Sequence, residues 1–167
     1  MKQSNLSKTD INEKLGNSSK WLAAAFAAGG VCSILWACGE LIALLKLRNS
    51  DIGFVDSFQT YYNVRLAAEG GLLAAMLLIA ALMFRRISRS GVPFGAETIR
   101  SVRTIGIICI FQGLGPHLTA ALIARAPYFS PADLFPLHIM AEGCLFLFAA
   151  KVMQYGSLLQ TEADETV

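Results

Sequence analysis

The stretch IGIICIFQGLGPHLTAALIA, residues 105–124, runs for 20 residues without a charged side chain. A bilayer's hydrocarbon core is ~30 Å thick and takes ~20 helical residues to cross, so this stretch is long enough to span it. Its apolar character is continuous rather than alternating. That fits a helix, which satisfies its own backbone groups in lipid, and not a membrane strand. Three further stretches lie on either side of it. Residues 21–47 begin with 19 residues that carry no charge, residues 66–84 hold Glu69 near their start, and residues 135–152 contain Glu142 and Lys151. Composition agrees: of 167 residues 54% are hydrophobic and 16% charged, with a mean hydropathy of +0.52. A soluble domain carries roughly 25% charged residues, and a disordered chain would need low hydrophobicity with high net charge. The expected fold is all-α, an integral membrane bundle of four transmembrane helices within residues 21–153. It is flanked by a polar segment, 1–20, and an acidic tail, 154–167; the polar segment and residues 160–167 are expected to be loose.

The placement of basic residues orients the bundle. Ten of the 14 Lys and Arg residues fall on one side: Lys2, Lys8, Lys14 and Lys20 before the first span, Arg85, Arg86, Arg89, Arg100 and Arg103 between the second and third, and Lys151 near the end of the fourth. The other side has Lys46, Arg48, Arg65 and Arg125. The positive-inside bias puts both termini and the central connection in the cytoplasm. A hydrophilic leader of 20 residues before a 27-residue apolar run does not fit a cleaved signal peptide.

Cys32, Cys38, Cys109 and Cys144 all lie within spans and form no C-x-x-C pair, so they are expected to be small buried packing residues. The two histidines, His117 and His138, both fall toward the outer side, where one haem between the third and fourth spans is arithmetically permitted. An internal similarity is also present. Residues 68–72, AEGGL, match residues 141–145, AEGCL, at an offset of 73, which also aligns Arg65 with His138. The first and third spans align at an offset of 77, matching Cys32 with Cys109, Glu40 with His117 and Arg48 with Arg125. The chain thus reads as two tandem helical hairpins.

At 1.5 Å per residue, Glu40 lies about 12 Å inward of Arg48 and His117 as far inward of Arg125. Glu69 lies ~6 Å below Arg65, and Glu142 ~10 Å below Phe135. An ionisable side chain facing lipid near the bilayer centre costs ~2.5–3.5 kcal/mol or more, so Glu40, Arg65, Glu69, His117, His138 and Glu142 form a candidate intramembrane polar site. The pairs Arg65–Glu69 and His138–Glu142, at i and i+4, serve either as glue or as part of a ligand site. Carboxylates with imidazoles suit a divalent metal, although no Glu-x-x-His of a di-metal bundle occurs. In the third span Pro116 is expected to kink the helix just before His117.

Between the second and third spans, Gly91 and Pro93 mark a turn. Ile99, Val102 and Gly106 then recur at helical spacing, with Glu97, Arg100 and Arg103 on other faces, which predicts a short interfacial amphipathic helix. Arg89, Glu97, Arg100, Arg103, Glu162 and Asp164 make up a candidate cytoplasmic partner surface. The run Gly-x-Pro-Phe-x-x-Glu-x-x-Arg-x-x-Arg-x-Ile-Gly, residues 91–106, resembles the central loop of the bacterial family catalogued as domain of unknown function 2975. The tail 156–167, GSLLQTEADETV, is similar to that family's ending, with Ala163 where many members have Asn. The resemblance implies a small four-helix protein of the bacterial inner membrane without an assigned enzymatic activity. Members are often encoded beside a helix-turn-helix regulator, which suggests a non-enzymatic regulatory or sensing partner of a cytoplasmic protein of that kind. The rival expectation is a metal-, haem- or small-ligand-binding membrane protein, redox or transport, that uses the outer polar group. No cofactor and no direct nucleic-acid contact are assigned, and Gly- and Ala-rich faces permit a homo-oligomer in the lipid bilayer.

Overall fold

The computed structural model describes residues 8–49, 57–125 and 137–165. They form four helices: α1 (Lys8–Asn49), α2 (Ser57–Ser90), α3 (Ala96–Ala124) and α4 (Leu137–Glu165). All four are long and apolar enough to cross a membrane, and among the described residues there is no strand. The protein is an all-α, multi-pass membrane bundle.

Each helix exceeds its apolar stretch. α1 begins at Lys8, so residues 8–20 of the polar segment are helical rather than loose, and α4 continues to Glu165 through most of the acidic tail. The amphipathic segment after the central turn is not a separate interfacial helix. It forms the first turns of α3, with Ile99, Val102 and Gly106 buried and Glu97, Arg100 and Arg103 exposed, as its spacing predicts. Hydropathy marks the thickness of the hydrocarbon layer, whereas helix ends depend on capping and on where the backbone must turn. Between α2 and α3 the turn is short. The Gly91 N–H donates to the Ile87 carbonyl at 2.9 Å with φ +66°, a left-handed geometry that favours glycine. The Thr98 N–H then donates to the Gly95 carbonyl at 2.9 Å to open α3. Pro116 sits inside α3, which continues through it as one helix to Arg125 in the left-handed region.

The backbones pack in chain order. α1 packs on α2, α2 on α3 and α3 on α4, and among the described residues no other pair of helices approaches closely. α2 and α3 therefore have two neighbours each, and α1 and α4 one. Accordingly, 28% and 33% of the apolar windows of α2 and α3 are buried, against 11% each for α1 and α4. The outer helices present Trp21, Leu35 and Leu45, or Leu145, Phe148 and Tyr155, on their surfaces, as lipid contact requires. Cys32, Cys38 and Cys144 are likewise exposed. Only Cys109, on the doubly packed α3, is the buried packing residue expected of all four.

Within each hairpin a glycine lies tight against the backbone of the facing helix. A Cβ on Gly143 would lie 2.7 Å from the Gly106 carbonyl oxygen and 2.9 Å from the Ile110 nitrogen. A Cβ on Gly106 would lie 2.9 Å from the Gly143 carbonyl oxygen. In the other hairpin a Cβ on Gly70 would meet the Ser33 carbonyl oxygen at 3.4 Å and the Ala37 Cβ at 3.2 Å. Gly70 and Gly143 are matched by the offset of 73, and Ser33 and Ile110 by the offset of 77. The two hairpins thus use equivalent contact points, which supports the tandem-repeat pattern. Between the hairpins, Tyr61, Val64 and Ala120 form one buried cluster, Ala80, Ile105 and Cys109 a second, and Met83, Ile87, Ile99, Val102 and Ala150 a third. On α1, Phe26 stacks on Phe84 of α2 with ring centroids 5.5 Å apart.

Because the contact at Gly143 is backbone to backbone, Gly143→Ala is expected to destabilise the bundle by ~1–3 kcal/mol, the usual penalty of overpacking. Gly71→Ala, whose added methyl meets nothing within 4 Å, should be neutral or stabilising by up to ~1 kcal/mol through helix propensity. Unfolding of the two variants in mixed detergent micelles checks the contrast.

Candidate functional site

The end of the bundle where α1 and α3 finish and α2 and α4 begin holds the intramembrane polar residues. The other end, where α1 and α3 begin, carries most of the cations and is called here the basic end. At the polar end α2 and α3 run antiparallel, and their first turns of contact are polar. Tyr61 and His117 are both buried, with the Tyr61 hydroxyl 3.0 Å from His117 Nδ1. Half a turn further along α2 from Tyr61, buried Asn63 accepts a hydrogen bond at Oδ1 from Gln59 Nε2 at 3.0 Å, while its own Nδ2 is buried without a partner. Gln112 Oε1 on α3 is also buried and unpartnered. Arg65 Nε donates to Glu69 Oε1 at 2.8 Å, forming the i, i+4 ion pair expected from the sequence, with the two side chains about a quarter exposed. Glu40 on α1 accepts from Trp36 Nε1 at 3.1 Å.

Four of the six candidates have hydrogen-bond partners among the described residues. Arg65 and Glu69 come together, His117 is tied to Tyr61 on the facing helix, and Glu40 is tied to Trp36 on its own helix. His138 and Glu142 are exposed on α4 and form no ion pair with each other, so the second repeat lacks the salt bridge of the first. His117 faces Tyr61 on α2, and His138 is exposed on α4. Among the described residues no three His, Cys, Asp or Glu side chains are placed to hold one metal ion. Tyr61, Asn63 and Gln59 stand outside the apolar stretch 66–84 and were not expected in the group. A run of aromatic and amide residues just before a span is the signal that marks them.

At the basic end Arg86 Nη1 donates to Glu97 Oε2 at 3.0 Å, bridging the α2–α3 turn, with both side chains more than half exposed. Arg103 Nη2 lies 3.4 Å from Gln154 Oε1 and ties α3 to α4. Between those two helices opens a cleft of about 470 Å³, lined by Phe94, Ile99, Arg100, Arg103, Ser157 and Leu158 among others. A smaller one of about 280 Å³ lies between α2 and α3 beside Arg86, Glu97 and Arg100. Of the candidate partner surface, Arg100 and Arg103 line the larger cleft and Glu97 and Arg100 the smaller. Arg89 lies apart from both, toward α1, and Glu162 is exposed on α4. The side chain of Asp164 falls outside the described residues. No protein-family model, curated protein or solved structure matches the chain.

Tyr61→Phe removes the hydroxyl from the buried Tyr61–His117 pair and is expected to cost ~0.5–1.5 kcal/mol, the usual worth of such a hydrogen bond. Trp36→Phe, which removes an exposed bond, should stay within about 0.5 kcal/mol. Both are read from unfolding midpoints in the same micelles.

Proposed function

We propose that the protein is a non-enzymatic regulatory or sensing component of the bacterial cytoplasmic membrane that holds a cytoplasmic protein, such as a helix-turn-helix regulator, at its basic end. Both termini and the α2–α3 turn then face the cytoplasm, in keeping with the bias of Lys and Arg toward that end. The observation that carries the reading is the cleft between the start of α3 and the end of α4. It combines apolar Phe94, Ile99 and Leu158 with the cations Arg100 and Arg103, and Val92 and Phe94 stand about half exposed beside it. An amphipathic helix with an acidic face complements this lining, its apolar residues seating on Phe94 and Leu158 and its carboxylates meeting the two guanidinium groups. The resemblance of residues 91–106 and 156–167 to a family encoded near such regulators points the same way.

A second reading, a metal, haem or small polar ligand bound at the opposite end, draws on the unpartnered buried Asn63 Nδ2 and Gln112 Oε1 near the Tyr61–His117 pair.

Affinity purification of the full chain from cells is expected to retain one soluble protein specifically, and R100E/R103E to reduce that retention at least about fivefold by turning attraction into repulsion. Equal retention by both chains, or none by either, removes the first reading. Stoichiometric metal or a haem absorption band in the purified protein, lost in His117→Ala, would establish the second in its place.

A further inference from the structure

On the opposite side of the basic end from the partner cleft, between α1 and α2, Lys20, Arg85 and Arg89 converge with Ser88 on a cleft of about 290 Å³. Arg86, one residue from Arg85, is neutralised by Glu97. Lys20, Arg85 and Arg89, in contrast, are exposed and have no ion-pair or hydrogen-bond partner among the described residues. Three unneutralised cations around one concavity make a site for an anion, with the Ser88 hydroxyl as an additional donor.

What kind of anion is decided by the next cavity. A groove of about 420 Å³ shares Ala23 and Arg85 with the cationic cleft and continues toward the middle of the span along Ala24, Ala27, Leu78 and Leu82. Its walls are apolar apart from Arg85, and it is open because alanines on α1 face alanine and leucine on α2. A free phosphate or an acidic peptide would use the cationic mouth and leave this groove to solvent or detergent. A diacyl phospholipid with an anionic headgroup uses both parts at once. Its phosphate meets Lys20, Arg85 and Arg89 at the membrane surface, and an acyl chain lies along the groove at the depth where hydrocarbon belongs. We infer that the α1–α2 face at the basic end is a binding site for an anionic phospholipid of the adjoining leaflet.

Trp21, next to Lys20 and largely exposed, supplies the reporter. The chain has two tryptophans, so Trp36→Phe leaves Trp21 alone. This chain is reconstituted in phosphatidylcholine–phosphatidylglycerol bilayers in which a minor fraction of one lipid or the other carries brominated acyl chains. Quenching of Trp21 by brominated phosphatidylglycerol is expected to exceed that by the same fraction of brominated phosphatidylcholine by at least about threefold. K20Q/R85Q/R89Q, all at exposed positions, should bring the ratio to about one with helicity unchanged. Ala24→Phe, which narrows the groove from an exposed position, should lower it while keeping every charge. R100Q/R103Q, at the same depth on the other face, should leave it intact, and millimolar inorganic phosphate should not displace the lipid. Equal quenching by the two lipids overturns the site. So does an R100Q/R103Q loss as large as that of the triple variant, which would mean diffuse attraction. Competition by phosphate, or indifference to Ala24→Phe, overturns its assignment to a lipid.

Discussion

Lipid tails are as apolar as leucine, so two helices in a bilayer gain little by hiding apolar surface from each other. They associate to the extent that their backbones can come close enough for dense van der Waals contact. In this protein that approach is set by Gly106 against Gly143 in one hairpin and by Gly70 against Ser33 and Ala37 in the other. These contacts define two helical hairpins, and the clusters around Ala120, Cys109 and Val102 join them along α2 and α3. The serial order of packing, the burial of the two inner helices and the open surfaces of the two outer ones all follow from where close approach is permitted.

The same order sorts the polar groups. A polar side chain on α2 or α3 has a facing helix on which to find a partner, as His117 finds Tyr61. On α1 or α4 it has one neighbouring helix and otherwise turns to its own turn, as Glu40 does to Trp36, or to the surface, as His138 and Glu142 do. Toward the basic end exposed polar contacts lie over the buried cluster of Met83, Ile87, Ile99, Val102 and Ala150. Arg86–Glu97 closes over the turn there, and a cation-lined surface lies on either side of it: a cleft against α4 that also has apolar walls and a more strongly cationic mouth against α1.

The four helices were legible in the sequence because continuous apolar runs of about 20 residues, two of them free of charge, have few alternatives. The buried stripe Ile99, Val102 and Gly106 was legible because helical spacing alone places those residues on one face. Arg65–Glu69 was legible for the same reason, both partners being on one turn of one helix. The Tyr61–His117 pair was not, since it depends on the register between two helices 56 residues apart in the chain. Grouping Glu40, Glu69, His117, His138 and Glu142 by depth leaves open which of them face one another. Counting residues gives height along the membrane normal but not the direction around each helix axis, nor that α4 would stand away from α1 and α2. The helical continuation of α1 back to Lys8 and of α4 on to Glu165 was missed because polar helix and polar loop look alike once hydropathy falls.

Among the described residues each helix leans on the next, as joints in series, and α1 and α4 make no close backbone contact. The α2–α3 seam that links the two hairpins is fastened by unlike devices at its two ends. At one end are a buried hydroxyl and imidazole, shielded from salt. At the other is an exposed ion pair that added salt weakens. Salt therefore acts on the bridge alone, because the short turn and the buried Met83, Ile87, Ile99 and Val102 beneath it keep the basic end of the seam joined without any charge.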